Sequence, residues 1–217
     1  MKKPPFERRN YEFEVRAQVA DRGHILTGRP IVYGSQTDIG PFDEVIDAGA
    51  LLNANLRDVP FLVNHNFDMI PLARSRRNNG NSTMQMTADQ DGLLLDWVDL
   101  DTENNMDARA LWSAVERGDV TGMSFCFTVD GESWDGLETE HPLRHITSIG
   151  QVVEVSAVTW PAYQATAIST RSREALESAE KALEKARESR EQSLESDQNE
   201  LALLKAKTQL LFRRFLK

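Results

Sequence analysis

The 217-residue chain holds one cysteine, Cys126, so no disulfide can close within it, and a reducing compartment or indifference to redox is expected. No apolar run approaches the roughly 20 residues that span a bilayer. Met1-Lys2-Lys3-Pro4-Pro5 lacks the apolar region of a signal peptide, so a soluble chain made in the cytoplasm, with no membrane partner, is expected. His-Glu-x-x-His, paired-cysteine and calcium-loop patterns are missing, as are Gly-rich phosphate loops, so no metal or nucleotide cofactor is expected. The Gly-x-Ser-x-Gly elbow of α/β hydrolases is missing too. Basic charge is short, with 25 Lys plus Arg against 34 Asp plus Glu, which argues against a nucleic-acid partner because phosphate binding needs clustered cations.

Scarcity is also uneven along the chain. Residues 172–217 contain no Pro, Gly, Trp or Tyr and carry 10 basic against 9 acidic residues, whereas residues 1–171 carry 15 against 25. A folded domain over 1–171 and a charged helical tail over 172–217 follow from that split. In the tail, Leu176, Ala179, Leu183 and Ala186 recur at helical spacing, and Asp197-Gln198-Asn199-Glu200 resembles a capping box that opens a second, basic helix.

The body reads mainly as strand. Tyr11 to Ala17 alternates apolar and polar residues, Gly28 to Gly34 is a short run bounded by glycines, and Asp91-Gly92 is a strong hairpin dipeptide. Further strands are predicted over 42–46, 123–129, 146–149 and 152–159. Two helices are predicted, a short one over 48–56 and a clearer one over 103–117, capped by Asp101 or Thr102 and ended by Gly118. Strands without regular strand–helix alternation predict an α+β fold, mainly an antiparallel β-barrel with packed helices.

Three separated segments each place one reactive side chain on a strand-like stretch: His65 after Phe61-Leu62-Val63-Asn64, Ser124 in Gly122-Met123-Ser124-Phe125, and Glu154 in Val152-Val153-Glu154-Val155. Hydroxyl, imidazole and carboxylate are the parts of a nucleophile, base and orienter relay. Each has a plainer reading: a core histidine, a backbone-bonded serine, or a carboxylate paired with Arg144. Cys126 is a rival nucleophile on the Ser124 strand, and Ser156, which shares a face with Glu154, is a second candidate hydroxyl.

Taken in order, these segments resemble the HK97-type bacteriophage prohead (capsid maturation) serine proteases, a family similar in fold to the herpesvirus assemblins. Glu44 to Leu51, Val63-Asn64-His65-Asn66, Asp91-Gly92-Leu93, Gly122-Met123-Ser124-Phe125 and Glu154-Val155-Ser156-Ala157-Val158-Thr159-Trp160-Pro161-Ala162-Tyr163 carry the resemblance, over about residues 10–170. It implies a serine endopeptidase with Ser124 as nucleophile, His65 as general base and Glu154 as third member. His145 is the alternative third member, since assemblins use a second histidine there, and Arg144 is a candidate oxyanion contributor. The implied partners are the major capsid protein and its scaffold segment, cleaved inside the procapsid in the host bacterial cytoplasm, together with the protease itself. Self-association through the tail is a further expectation. A non-enzymatic internal scaffold on the same fold is the main alternative, and an esterase or amidase a lesser one.

Overall fold

The computed structural model describes residues 7–11, 15–159 and 170–215. In chain order the elements are β1 (Glu7–Tyr11), β2 (Val15–Ala20), β3 (Gly23–Val32), β4 (Thr37–Asp38), β5 (Asp43–Ile46), β6 (Pro60–Val63), β7 (Ala73–Arg74), β8 (Met84–Ala88), β9 (Gly92–Leu100), α1 (Met106–Glu116), β10 (Gly122–Asp135), β11 (Leu143–Val158) and α2 (Thr170–Phe215). The Trp160-Pro161-Ala162-Tyr163 motif, and residues 12–14 of the first predicted strand, lie outside the described residues.

Two sheets share one core. The smaller runs β2-β3-β9-β8, all antiparallel. The larger runs β1-β10-β11-β5-β4, with β6 also paired to β11 and β7 to β6. Long β11 organises it. One of its edges carries β10, and the other carries β5 against residues 143–146 and β6 against residues 155–157, both parallel. Leu26, Ile31, Leu93 and Leu95 of the small sheet pack with Phe61, Phe125, Phe127 and Val155 of the large one, and Ala108, Leu111 and Val115 of α1 join them. Sequestering this apolar surface is the main driving force for the arrangement.

The α+β class agrees with expectation, but the described residues form open sheets rather than a closed antiparallel barrel. Closure needs the outer strands of one sheet to pair. Here those strands are β1 and the two-residue β4 in one sheet, and β2 and β8 in the other. The parallel pairings of β5 and β6 make the large sheet mixed.

Local departures have local causes. The expected helix at 48–56 is a series of tight turns, with Ala50 N–H donating to Asp47 O and Leu52 N–H to Gly49 O. Gly49 sits at φ +86°, outside helical space, and leaves Leu51 buried but Leu52 exposed. The strands expected at 146–149 and 152–159 are one continuous β11. Helix α1 begins one turn later than predicted, capped by Asn105 Oδ1 accepting from the N–H groups of Asp107 and Ala108. Gly118, at φ +77°, ends the helix as expected.

The tail is one helix of 46 residues, roughly 70 Å at helical rise, without the break expected at Asp197. With no proline or glycine from Ser172 on, nothing interrupts the hydrogen-bond ladder, so Asp197 is carried inside it. Its first half touches the body: Leu183 packs on Phe42, Arg187 donates to the carbonyls of Leu137 and Thr139, and Arg190 pairs with Glu138 at 2.5 Å. Among the described residues no helix is long and apolar enough to cross a membrane.

Candidate active site

The site is built on the β10–β11 ladder. Helix α1 ends at Gly118, Val120 is buried, and the chain enters β10 at Gly122. Along β10 the large apolar residues Met123, Phe125 and Phe127 alternate with Ser124 and Cys126, so the small polar pair takes the opposite face. Across the ladder Ser124 pairs with Ser156, and Cys126 with Glu154. Directly opposed residues of an antiparallel pair share a face, so this register gathers two hydroxyls, a thiol and a carboxylate on one side of the sheet. All four are fully buried. A carboxylate there requires hydrogen-bond partners.

His65 supplies one of them, though it is not the strand residue that sequence periodicity implies. Strand β6 ends at Val63, and Asn64 and His65 both adopt left-handed backbone, φ +52° and +56°. Such a conformation is uncommon for non-glycine residues and costs of order 1 kcal/mol or more each. Several bonds hold it. Asn64 N–H donates to Ala157 O (2.9 Å), Asn64 Oδ1 accepts from Thr159 N–H (3.0 Å), and His65 N–H donates to Ser156 Oγ (3.1 Å). The sharp turn brings the buried imidazole onto the Glu154 face, with Nδ1 2.5 Å from Glu154 Oε1.

Ser156 ties the arrangement together. Its hydroxyl donates to Glu154 Oε2 at 2.6 Å while accepting from the His65 backbone N–H, so one side chain orients both the carboxylate and the histidine-bearing turn. Cys126 Sγ lies 3.8 Å from the same Nδ1. With Glu154 accepting from Nδ1–H, the imidazole carries its lone pair on Nε2, the tautomer suited to removing a proton. Periodicity alone offered Ser156 only as a second hydroxyl. Its bridging contact arises because parallel β6 sets Leu62 opposite Ser156.

The other candidates sit elsewhere. His145 is nine positions from Glu154 along β11, roughly 30 Å at strand rise. Its Nδ1 is 2.9 Å from Asp47 Oδ1 and its Nε2 3.3 Å from Asp135 Oδ2, and the hydrogen bond to Asp47 raises its pKa above the usual histidine value. Arg144, weighed as a partner for Glu154 or an oxyanion donor, instead donates to Glu7, Glu44 and Glu132. His24 bonds Thr102 and packs edge-on against Trp112, and His141 pairs with Asp43. Among the described residues two clusters have metal-ligand chemistry: Asp38, Asp43 and His141 at the surface, and His65, Cys126 and Glu154 within the site, with the ligand atoms of each lying within 4.8 Å of one another. In the second cluster the imidazole and carboxylate already bond each other.

A buried carboxylate–imidazole pair on the hydroxyl-bearing face of a mixed α+β domain is the equipment of a serine-hydrolase-type site. Residues 11–181 match the family model of the caudovirus prohead serine proteases, and the chain belongs to that family. No curated protein and no solved structure matches it.

Proposed function

We propose that the chain is a serine endopeptidase of prohead maturation in which Ser124 is the nucleophile, His65 the general base and Glu154 the group that orients the imidazole. The contact that carries this reading is His65 Nδ1 to Glu154 Oε1, on the face that also bears Ser124. His65 Nε2 takes the Ser124 hydroxyl proton as Oγ attacks a scissile carbonyl. The imidazolium, stabilised by Glu154, then protonates the leaving amine, and water hydrolyses the acyl-enzyme by the same relay.

The substrates in this reading are the scaffold segment of the major capsid protein and the protease itself, inside the procapsid. The boundary near residue 171 separates an assemblin-like catalytic domain from the helical tail. Leu194, Leu201, Leu203 and Leu204 are each half exposed on the outer part of α2, a surface suited to helical scaffold or to a second copy of the chain.

Co-expression with the capsid protein tests the proposal. Shortened capsid subunits are expected with the wild-type chain and none with Ser124→Ala or His65→Ala, a loss of about 10⁴-fold or more. Particles that form with full-length subunits in all three cases would support an assembly module without protease activity. Mass spectrometry of the chain in mature particles, wild type beside Ser124→Ala, reads tail removal; identical C-termini would exclude self-processing there.

A further inference from the structure

Ser124 is fully buried, yet a nucleophile must come within roughly 3–3.5 Å of a substrate carbonyl. Some part of the fold therefore moves before a peptide can reach it. Its strand has two neighbours. On one side β11 pairs along the whole of β10 and carries Glu154 and Ser156, so it cannot leave without dismantling the site. On the other side is β1, five residues at the edge of the sheet, antiparallel to β10, with Asn10 at the register position opposite Ser124. The stretch matched by the protease family begins at residue 11, so Glu7 to Asn10 lie ahead of it.

The geometry points to the outer edge of β10 as a docking edge for an extended peptide, occupied here by the chain's own β1. This rests on the serine endopeptidase reading and adds its regulation: the segment to be cut pairs with residues 122–127 in place of β1. An unpaired strand edge offers a row of backbone donors and acceptors that any extended peptide can complete, with side chains adding selectivity.

The latch is visible. Arg144 Nη1 and Nη2 donate to the two carboxylate oxygens of Glu7, at 2.6 and 2.8 Å. Arg144 is itself buried, with its guanidinium beside the edge-to-face pair of Phe42 and Trp134, and also holds Glu44 and Glu132. The two-pronged, charge-assisted bond anchors one end of β1 at a distance from the site. Three carboxylates share one guanidinium there, so Arg144 keeps partners in Glu44 and Glu132 when Glu7 departs.

The test uses the full chain. In the wild type, hydrogen exchange is expected to show those amides of residues 122–127 that face β1 opening locally, at least about 100-fold faster than the amides of residues 152–158. Glu7→Gln, and separately Arg8→Pro combined with Arg9→Pro, are expected to lower KM for capsid-protein cleavage at least about fivefold with kcat within about twofold, since a larger fraction of molecules is open. A synthetic peptide of residues 5–13 is expected to inhibit the proline variant competitively. A small fluorophosphonate that acylates wild type and both variants, with KM unchanged or raised, would overturn the docking edge while leaving the protease reading intact. So would equal protection of the two strands. Failure of the fluorophosphonate and of cleavage in every chain would overturn both.

Discussion

His65 Nδ1 and Glu154 Oε1 lie 2.5 Å apart although 89 residues separate them in the chain, and both side chains are buried. The pair unites the turn after β6 with the C-terminal third of β11. Its consequence is an imidazole oriented through Nδ1, which leaves Nε2 as the nitrogen proposed to act as the base.

Replacing Glu154 with glutamine tests that role. Gln fills the same volume and can still accept from Ser156, but it cannot stabilise an imidazolium. The expected result is a fall in kcat of about 10²–10⁴-fold with KM little changed, measured on capsid-protein cleavage. A variant with unchanged kcat would remove Glu154 from the relay.

Ser156→Ala leaves a carboxylate oxygen and the His65 N–H without the hydroxyl that joins them. A loss of about 1–3 kcal/mol in unfolding free energy is expected from urea titration. A drop in kcat that exceeds the rise in KM would accompany it, because the turn and the carboxylate lose their common anchor. Ser156→Thr, which keeps the hydroxyl, is expected to recover part of the kcat. Equal damage from both variants would reduce Ser156 to a packing residue.

Cys126 sits beside the imidazole nitrogen that faces Glu154, not beside Nε2, the proposed base. Cys126→Ala is therefore expected to cleave within about threefold of wild type, against the near-complete loss for Ser124→Ala. The reverse pattern, measured in the same assay, would make the thiol the nucleophile.

His145 is stabilised in its charged form by hydrogen bonding to Asp47, so its folded pKa lies above its unfolded value of about 6.5. The contribution is complete below pH of about 6.5 and is lost as pH rises through the folded pKa. Urea midpoints recorded from about pH 5.5 to 8.5 are expected to fall across that window, and Asp47→Asn to flatten the fall. An identical slope in Asp47→Asn would refute the assignment.

The strand-rich body, the Asp91-Gly92 hairpin, α1 and the helical tail were legible because each rests on local rules: alternation, positive φ at glycine, capping, and the absence of helix breakers. The reading failed where local patterns compete. Gly49 interrupts an apolar helical spacing, and Asp197 looks like a cap only if the preceding helix stops. The motif segments marked His65, Ser124 and Glu154 as candidates, but periodicity put His65 on a strand, and two consecutive left-handed residues have no periodic signature.

Sequence alone determined the chemical inventory and its division: one cysteine, an acidic body, a proline- and glycine-free tail, and hydroxyl, imidazole and carboxylate on separate segments. Tertiary structure decided which of them meet. Strand register is set by the burial of Phe125, Phe127 and Val155 on the core side, and a one-residue slip would turn Cys126 and Glu154 to opposite faces. The parallel docking of β6 on β11, a contact between distant segments, then brings His65 to Glu154 and leaves His145 and Arg144 far along the same strand.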